Sequence, residues 1–142
     1  MNLSTAEFAN KIDSAQNIDE LRQMLSELPQ TTFSDRIYEL CDQRNLNFSQ
    51  VQKECGITKS YFYDFTNGTR MPKKHHVIKI GIAMHLTVEE MNELLKLAQH
   101  KELYPKKKED AIIIFGIKNN LSAMQIDELL VDSGATFSLS EK

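Results

Sequence analysis

Apolar residues return every three or four positions along most of the chain, the spacing that gathers them on one face of an α-helix. Phe8 and Ile12 mark a first face, and Leu21, Met24, Leu25 and Leu28 a second. Ile37, Leu40 and Cys41 follow, then Val51 with Cys55, then Phe62 with Phe65. Val77, Ile80, Ala83 and Met84 form the next stripe, and Met91, Leu94, Leu95 and Ala98 one more, expected to end near His100. The residues between stripes are those of helix ends. Ser4 with Glu7, Asn17 with Glu20, Asn47 with Gln50, Thr87 with Glu90 and Ser122 with Gln125 have capping-box spacing, and Ser34 and Thr58 offer hydroxyls at two further starts. Residues 111–115 are β-rich in propensity. A solvated lead-in over 106–110, the lack of a partner strand and a left-handed cap at Asn119-Asn120 favour a helix there, followed by one striped with Ile126, Leu129 and Leu130 and stopped by Gly134. The pattern predicts an all-α chain.

Pro29 and Pro105 divide it into a helical extension over 1–30, a middle region over 31–100 and a helical hairpin over 106–134, with 135–142 read as a flexible tail. The middle region carries the most specific signal. A helix expected from Phe48 to Cys55 meets Gly56, able to take positive φ, then Ile57 as an apolar plug and Thr58 as the start of another helix. In that second helix Phe62 and Phe65 share a buried face, while Lys59, Ser60, Tyr63 and Asp64 point outward, and Asn67-Gly68 turns the chain. This is a helix-turn-helix layout.

From Leu46 to about Met91 these residues resemble the phage-repressor-like helix-turn-helix family (lambda repressor, Cro, XRE type). The Gly56-Ile57-Thr58 turn, Phe62, Asn67-Gly68, Arg70 and Pro72, then Val77, Ile80, Ala83, Met84, Leu86 and Thr87, fall without gaps where the family has its turn, core and capping residues. The stretch covers about a third of the chain. Four positions depart from the family: Phe48 replaces a phosphate-reaching Gln, Gln52 a small Ala, Thr66 a Glu and His85 a Gly. The resemblance implies a lambda-repressor-like five-helix domain, flanked here by the N-terminal extension and the C-terminal hairpin, and a DNA-binding transcriptional regulator acting as a homodimer on a palindromic site. The C-terminal hairpin loosely echoes residues 39–55, a helix, an Asn-Leu joint and a capped second helix, but lacks a third helix with a polar face. Both flanking hairpins therefore read as packing, dimerisation or protein-partner elements.

Composition narrows the class without fixing it. With 142 residues, 41% of them apolar, the chain can bury one core, and no run approaches the length of a membrane span. The absence of a basic-then-apolar leader pattern argues for a cytoplasmic protein. Cys41 and Cys55 occupy apolar helix positions, as reduced packing residues do, and adjacent His75 and His76 diverge too far on a helix to share a metal ion. No phosphate-cradling glycine loop or paired nucleophile is visible, so neither cofactor nor enzyme is expected.

Net charge is -3, an unpromising balance for a nucleic-acid partner until its distribution is counted. Residues 31–85 hold eight Lys and Arg against five acids, whereas both flanks are acidic. A recognition helix in the major groove presents its N-terminal side chains to base edges. The candidate base contacts are Lys59 toward guanine, Ser60 toward either base type, Tyr63 toward a thymine methyl and Asp64 toward cytosine. Asn47, Arg70, Lys73 and Lys74 are the candidate phosphate contacts. An aromatic, weakly basic face also suits a protein partner. Two readings stay open: a regulator of double-stranded DNA, and an adaptor or antitoxin-like module that turns the same face to a protein.

Overall fold

The computed structural model describes residues 4–26 and 31–140. Among them every regular element is an α-helix, as the periodicity predicts. The chain divides into two units, 1–30 and 31–142.

The first unit holds α1 (Thr5–Ser14) and α2 (Ile18–Ser26), packed on each other. Ser4 Oγ accepts from the Glu7 amide at 3.1 Å and Asn17 Oδ1 from the Glu20 amide at 2.8 Å, so both expected caps form. The Glu20 carboxylate reaches back one residue further than a capping box requires, to the Gln16 amide. Phe8, Leu21 and Met24 are half-buried, but Ile12, Ile18 and Leu25 stay exposed, and neither helix has a fully buried residue. Two helices alone cannot close a core. Leu28 and Pro29, which the periodicity assigns to this region, lie outside the described residues.

The second unit runs through α3 (Phe33–Gln43), α4 (Phe48–Cys55), α5 (Lys59–Thr66), α6 (Lys74–Ala83), α7 (Val88–Leu97), α8 (Lys108–Lys118) and α9 (Ala123–Asp132). α3 packs on α5 and α7, α4 on α5 and α6, α6 on α7, α7 on α8, and α8 on α9. One continuous core joins them, from Ile37 and Phe62 through Ile80 and Leu94 to Ile113 and Ile126. The hairpin α8–α9 is thus built onto the same core. The last described residues also fold back rather than trail. Leu139 is buried, its amide donates to Asp127 Oδ1 at 2.8 Å, and Ser138 Oγ donates to the same carboxylate. Asp127 gives 135–140 a polar anchor that apolar periodicity cannot reveal.

Helix ends correct the sequence reading in four places. α3 begins at Phe33 with Thr32 as cap and Asp35 completing the box; Ser34 sits inside the helix, where its hydroxyl donates to the Thr66 carbonyl. Gln50 does not reach back to Asn47 but donates to Glu54 at 3.1 Å. Thr58 occupies the cap position of α5 without a capping bond. α7 stops at Leu97 because Gln99 turns left-handed at φ 66°.

The structure also exposes a repeat. Gly81, Leu86, Glu93, Leu94 and Leu95 recur at one constant spacing as Gly116, Leu121, Glu128, Leu129 and Leu130. The geometry recurs with them. His85 and Asn120 are left-handed at φ 57° and 55°, and the next amide closes a six-residue ring, Leu86 N to Gly81 O at 3.0 Å and Leu121 N to Gly116 O at 2.9 Å. Capping boxes follow at Thr87 with Glu90 and Ser122 with Gln125. The same turn joins α3 to α4, with Asn45 at φ 56° and Leu46 N to Cys41 O at 2.8 Å. Three helical hairpins therefore share one Schellman turn.

Candidate nucleic-acid interface

The face built from α4, α5 and the segment leading to α6 rests on a rigid turn. Gly56 ends α4 at φ 72°, a conformation a side chain would strain, and Ile57 is buried behind it. Gln52 donates from Nε2 to the Ile57 carbonyl at 2.7 Å and so fastens the turn to α4. Phe48 is used for packing: its ring lies edge-on to Tyr38 at 4.5 Å and to Phe62 at 6.0 Å, fixing α4 against α3 and α5. α5 is anchored by Phe62, Phe65 and Thr66, all buried. Its first turn, Lys59, Ser60 and Tyr61, is exposed.

The eight predicted contact residues do not share one situation. Lys59 and Ser60 face solvent at the start of α5. Tyr63 is half-buried, its ring edge-on to Phe62 at 5.5 Å, so it belongs partly to the core. Asp64 is half-buried and pairs with Arg70 Nε at 3.5 Å. Arg70 also lies over the Tyr61 ring, 5.0 Å from its centroid. Lys73 is exposed, whereas Asn47 spends its side chain capping α4 through the Gln50 amide at 3.1 Å. Lys74 is withdrawn: its Nζ sits 2.7 Å from Asp110 and 3.6 Å from Glu109, and 4.9 Å above the Phe137 ring. Asp110 is buried and takes the Tyr104 amide on its other oxygen at 2.9 Å, so Lys74 is the counter-charge of a buried carboxylate. Sequence spacing cannot anticipate that pairing across two helices.

Three residues outside the predicted set belong to the same neighbourhood. Tyr61 stacks near Phe65 at 6.1 Å and near His76 at 6.5 Å, both at 23° between planes. His76 Nδ1 accepts the Lys73 amide at 3.2 Å, which puts the ring proton on Nε2. Burial, then the positive neighbours His75, Lys79 and Lys73, push its pKa down to about 4. Lys79, one turn along α6, completes a basic margin with Arg70 and Lys73. The concentration of aromatics in α5 was the signal for Tyr61; nothing in the sequence marks His76 or Lys79.

Elsewhere the chemistry is quiet. Cys41 and Cys55 are buried free thiols; burial raises Cys41 to about 11 and Cys55 in the same direction, so both stay protonated at neutral pH. Among the described residues no group of three His, Cys, Asp or Glu could hold a metal ion, and no helix is long and apolar enough to cross a membrane. Comparison with protein-family models, with curated proteins and with solved structures finds no match to the chain.

Proposed function

We propose that residues 31–142 form a sequence-specific DNA-binding regulator of the phage-repressor-like class, with α3–α7 as its five-helix domain, α4–α5 as the helix-turn-helix and α5 as the recognition helix. One observation carries the reading: the first turn of α5 stands free with Lys59 and Ser60 outward, while Phe62 and Phe65 hold the rest of the helix in the core. A helix so fixed can enter a major groove without remodelling. In this reading Lys59 donates to guanine O6 and N7, Ser60 takes a neighbouring base edge, and Arg70 and Lys73 bind phosphate. Asp64 positions Arg70 and Tyr63 supports the helix, so direct base readout rests on fewer residues than the sequence implies. Lys74 drops out of the phosphate set because Asp110 holds it. With so few cations a monomer binds weakly, and a homodimer, acting in the cytoplasm, doubles the contacts.

The test is fluorescence anisotropy with DNA from upstream of the protein's own gene. Affinity should fall steeply with salt, and Lys59→Ala should erase the preference over random DNA more than it lowers general affinity. A second reading, a protein-binding adaptor, draws on exposed Tyr61 and Met71 flanking the same face. Absence of any preference over random DNA at low salt would favour it.

A further inference from the structure

Beside the free turn of α5 lies a cavity of about 710 Å³, inside the size range of small-molecule sites. Tyr61 and Phe65 form its aromatic wall, with His76 facing them, and Arg70, Lys73 and Lys79 stand around it. Among the described residues no carboxylate lines it. Asp64 answers Arg70 from outside, at 3.5 Å; Lys73 and Lys79 form no ion pair among the described residues, although Lys79 also borders a neighbouring hollow that Glu54, Asp127, Glu128 and Asp132 line. The depressed pKa of His76 has the same origin in part, since Lys79 and Lys73 press positive charge on a half-buried ring. An exposed tyrosine ring beside lysines that no carboxylate of the cavity wall neutralises is the chemistry that holds a flat, anionic molecule.

We propose that this cavity binds a small ligand joining a planar aromatic ring to a phosphate, of mononucleotide size, with the ring against Tyr61 and His76 and the phosphate between Lys73 and Lys79. Such a ligand uses Lys73, which the DNA reading assigns to the backbone, so it competes with DNA and acts as an effector. The competition rests on the DNA reading; ligand binding does not.

Adenosine 5′-monophosphate is the probe, followed through the Hε1–Cε1 signal of His76 by NMR on the full chain without DNA. Millimolar nucleotide should shift that signal saturably and raise the titration midpoint of His76, because an adjacent anion stabilises the imidazolium. Adenosine alone and inorganic phosphate alone should each bind at least about tenfold more weakly. Lys79→Ala and Tyr61→Ala should each weaken nucleotide binding at least about fivefold, and Lys79→Arg should restore it, which separates lost charge from lost folding. Lys79 belongs to the basic margin but is assigned no base contact, so Lys79→Ala keeps its preference over random DNA if that reading holds, whatever it loses in general affinity. An unmoved His76 signal, equal binding of bare phosphate, or indifference to Lys79→Ala overturns the site. Nucleotide that binds yet leaves protein–DNA anisotropy unchanged overturns the effector role alone.

Discussion

At the scale of single residues, two side chains decide how the basic margin behaves. Lys74 looks in sequence like one of four phosphate-binding groups, but its charge is committed to buried Asp110. Lys74→Ala should therefore leave the salt dependence of DNA binding unchanged, whereas Lys73→Ala should reduce the slope by about one. Asp110→Ala removes the closer acid of Lys74, leaves Glu109 at 3.6 Å as its remaining partner, deprives the Tyr104 amide of its acceptor and should cost about 3 kcal/mol in chemical denaturation. His76 is the other case. Its Nδ1 accepts the Lys73 amide at the start of α6, a bond that protonation destroys. Folding lowers its pKa from 6.5 to about 4, so the unfolded chain binds the proton more readily. The stability due to neutral His76 is complete above 6.5, falls as pH drops between those values and is gone below about 4. Urea melts of the wild type and of His76→Gln should converge by about 2 kcal/mol from neutral pH to about pH 5. Parallel curves would refute the assignment.

At the scale of elements, the repeated hairpin explains what the sequence made visible and what it hid. Apolar spacing located α3 to α7 and α9 because each buries a stripe, caps at Thr87 and Ser122 marked two starts, and α8 was legible only from its solvated lead-in and its Asn119-Asn120 end. What stayed hidden depends on partners far along the chain: Ser34 on Thr66, Asp127 on Leu139, Lys74 on Asp110. His85 takes the left-handed φ without being glycine, as Asn45 and Asn120 do at the two equivalent turns. Close packing within the hairpins rests on glycine. A Cβ on Gly116 would lie 2.4 Å from Ile126 Cγ1, near the backbone of a branched side chain; one on Gly81 would lie 2.3 Å from the flexible end of Met91. Both substitutions gain up to about 1 kcal/mol of helix propensity. Gly116→Ala should nevertheless lose about 1–3 kcal/mol in thermal unfolding, because Ile126 cannot yield, while Gly81→Ala should stay within about 1 kcal/mol of wild type.

At the scale of the whole molecule, the repeat identifies a surface that is covered in one hairpin and open in the other. Ile80 and Leu94 of α6–α7 are fully buried beneath α3 and α4, and their counterparts in register are Phe115 and Leu129 of α8–α9. These are exposed, Phe115 at 55%, with Met124 and Val131 also in solvent on α9. A helix pair that keeps apolar residues at positions its sister hairpin buries is suited to a second copy of itself, the homodimer that the DNA reading needs. Sedimentation equilibrium should then give a dimer, and Phe115→Glu with Leu129→Glu should convert it to a folded monomer, since neither side chain supports the core. That monomer should still bind half of a palindromic site, at least about a hundredfold more weakly than the dimer binds the whole site, because linking two sites through one dimer gains that much avidity. A wild type that sediments as a monomer while retaining full operator affinity would remove the need for this interface and leave the exposed phenylalanine without an account.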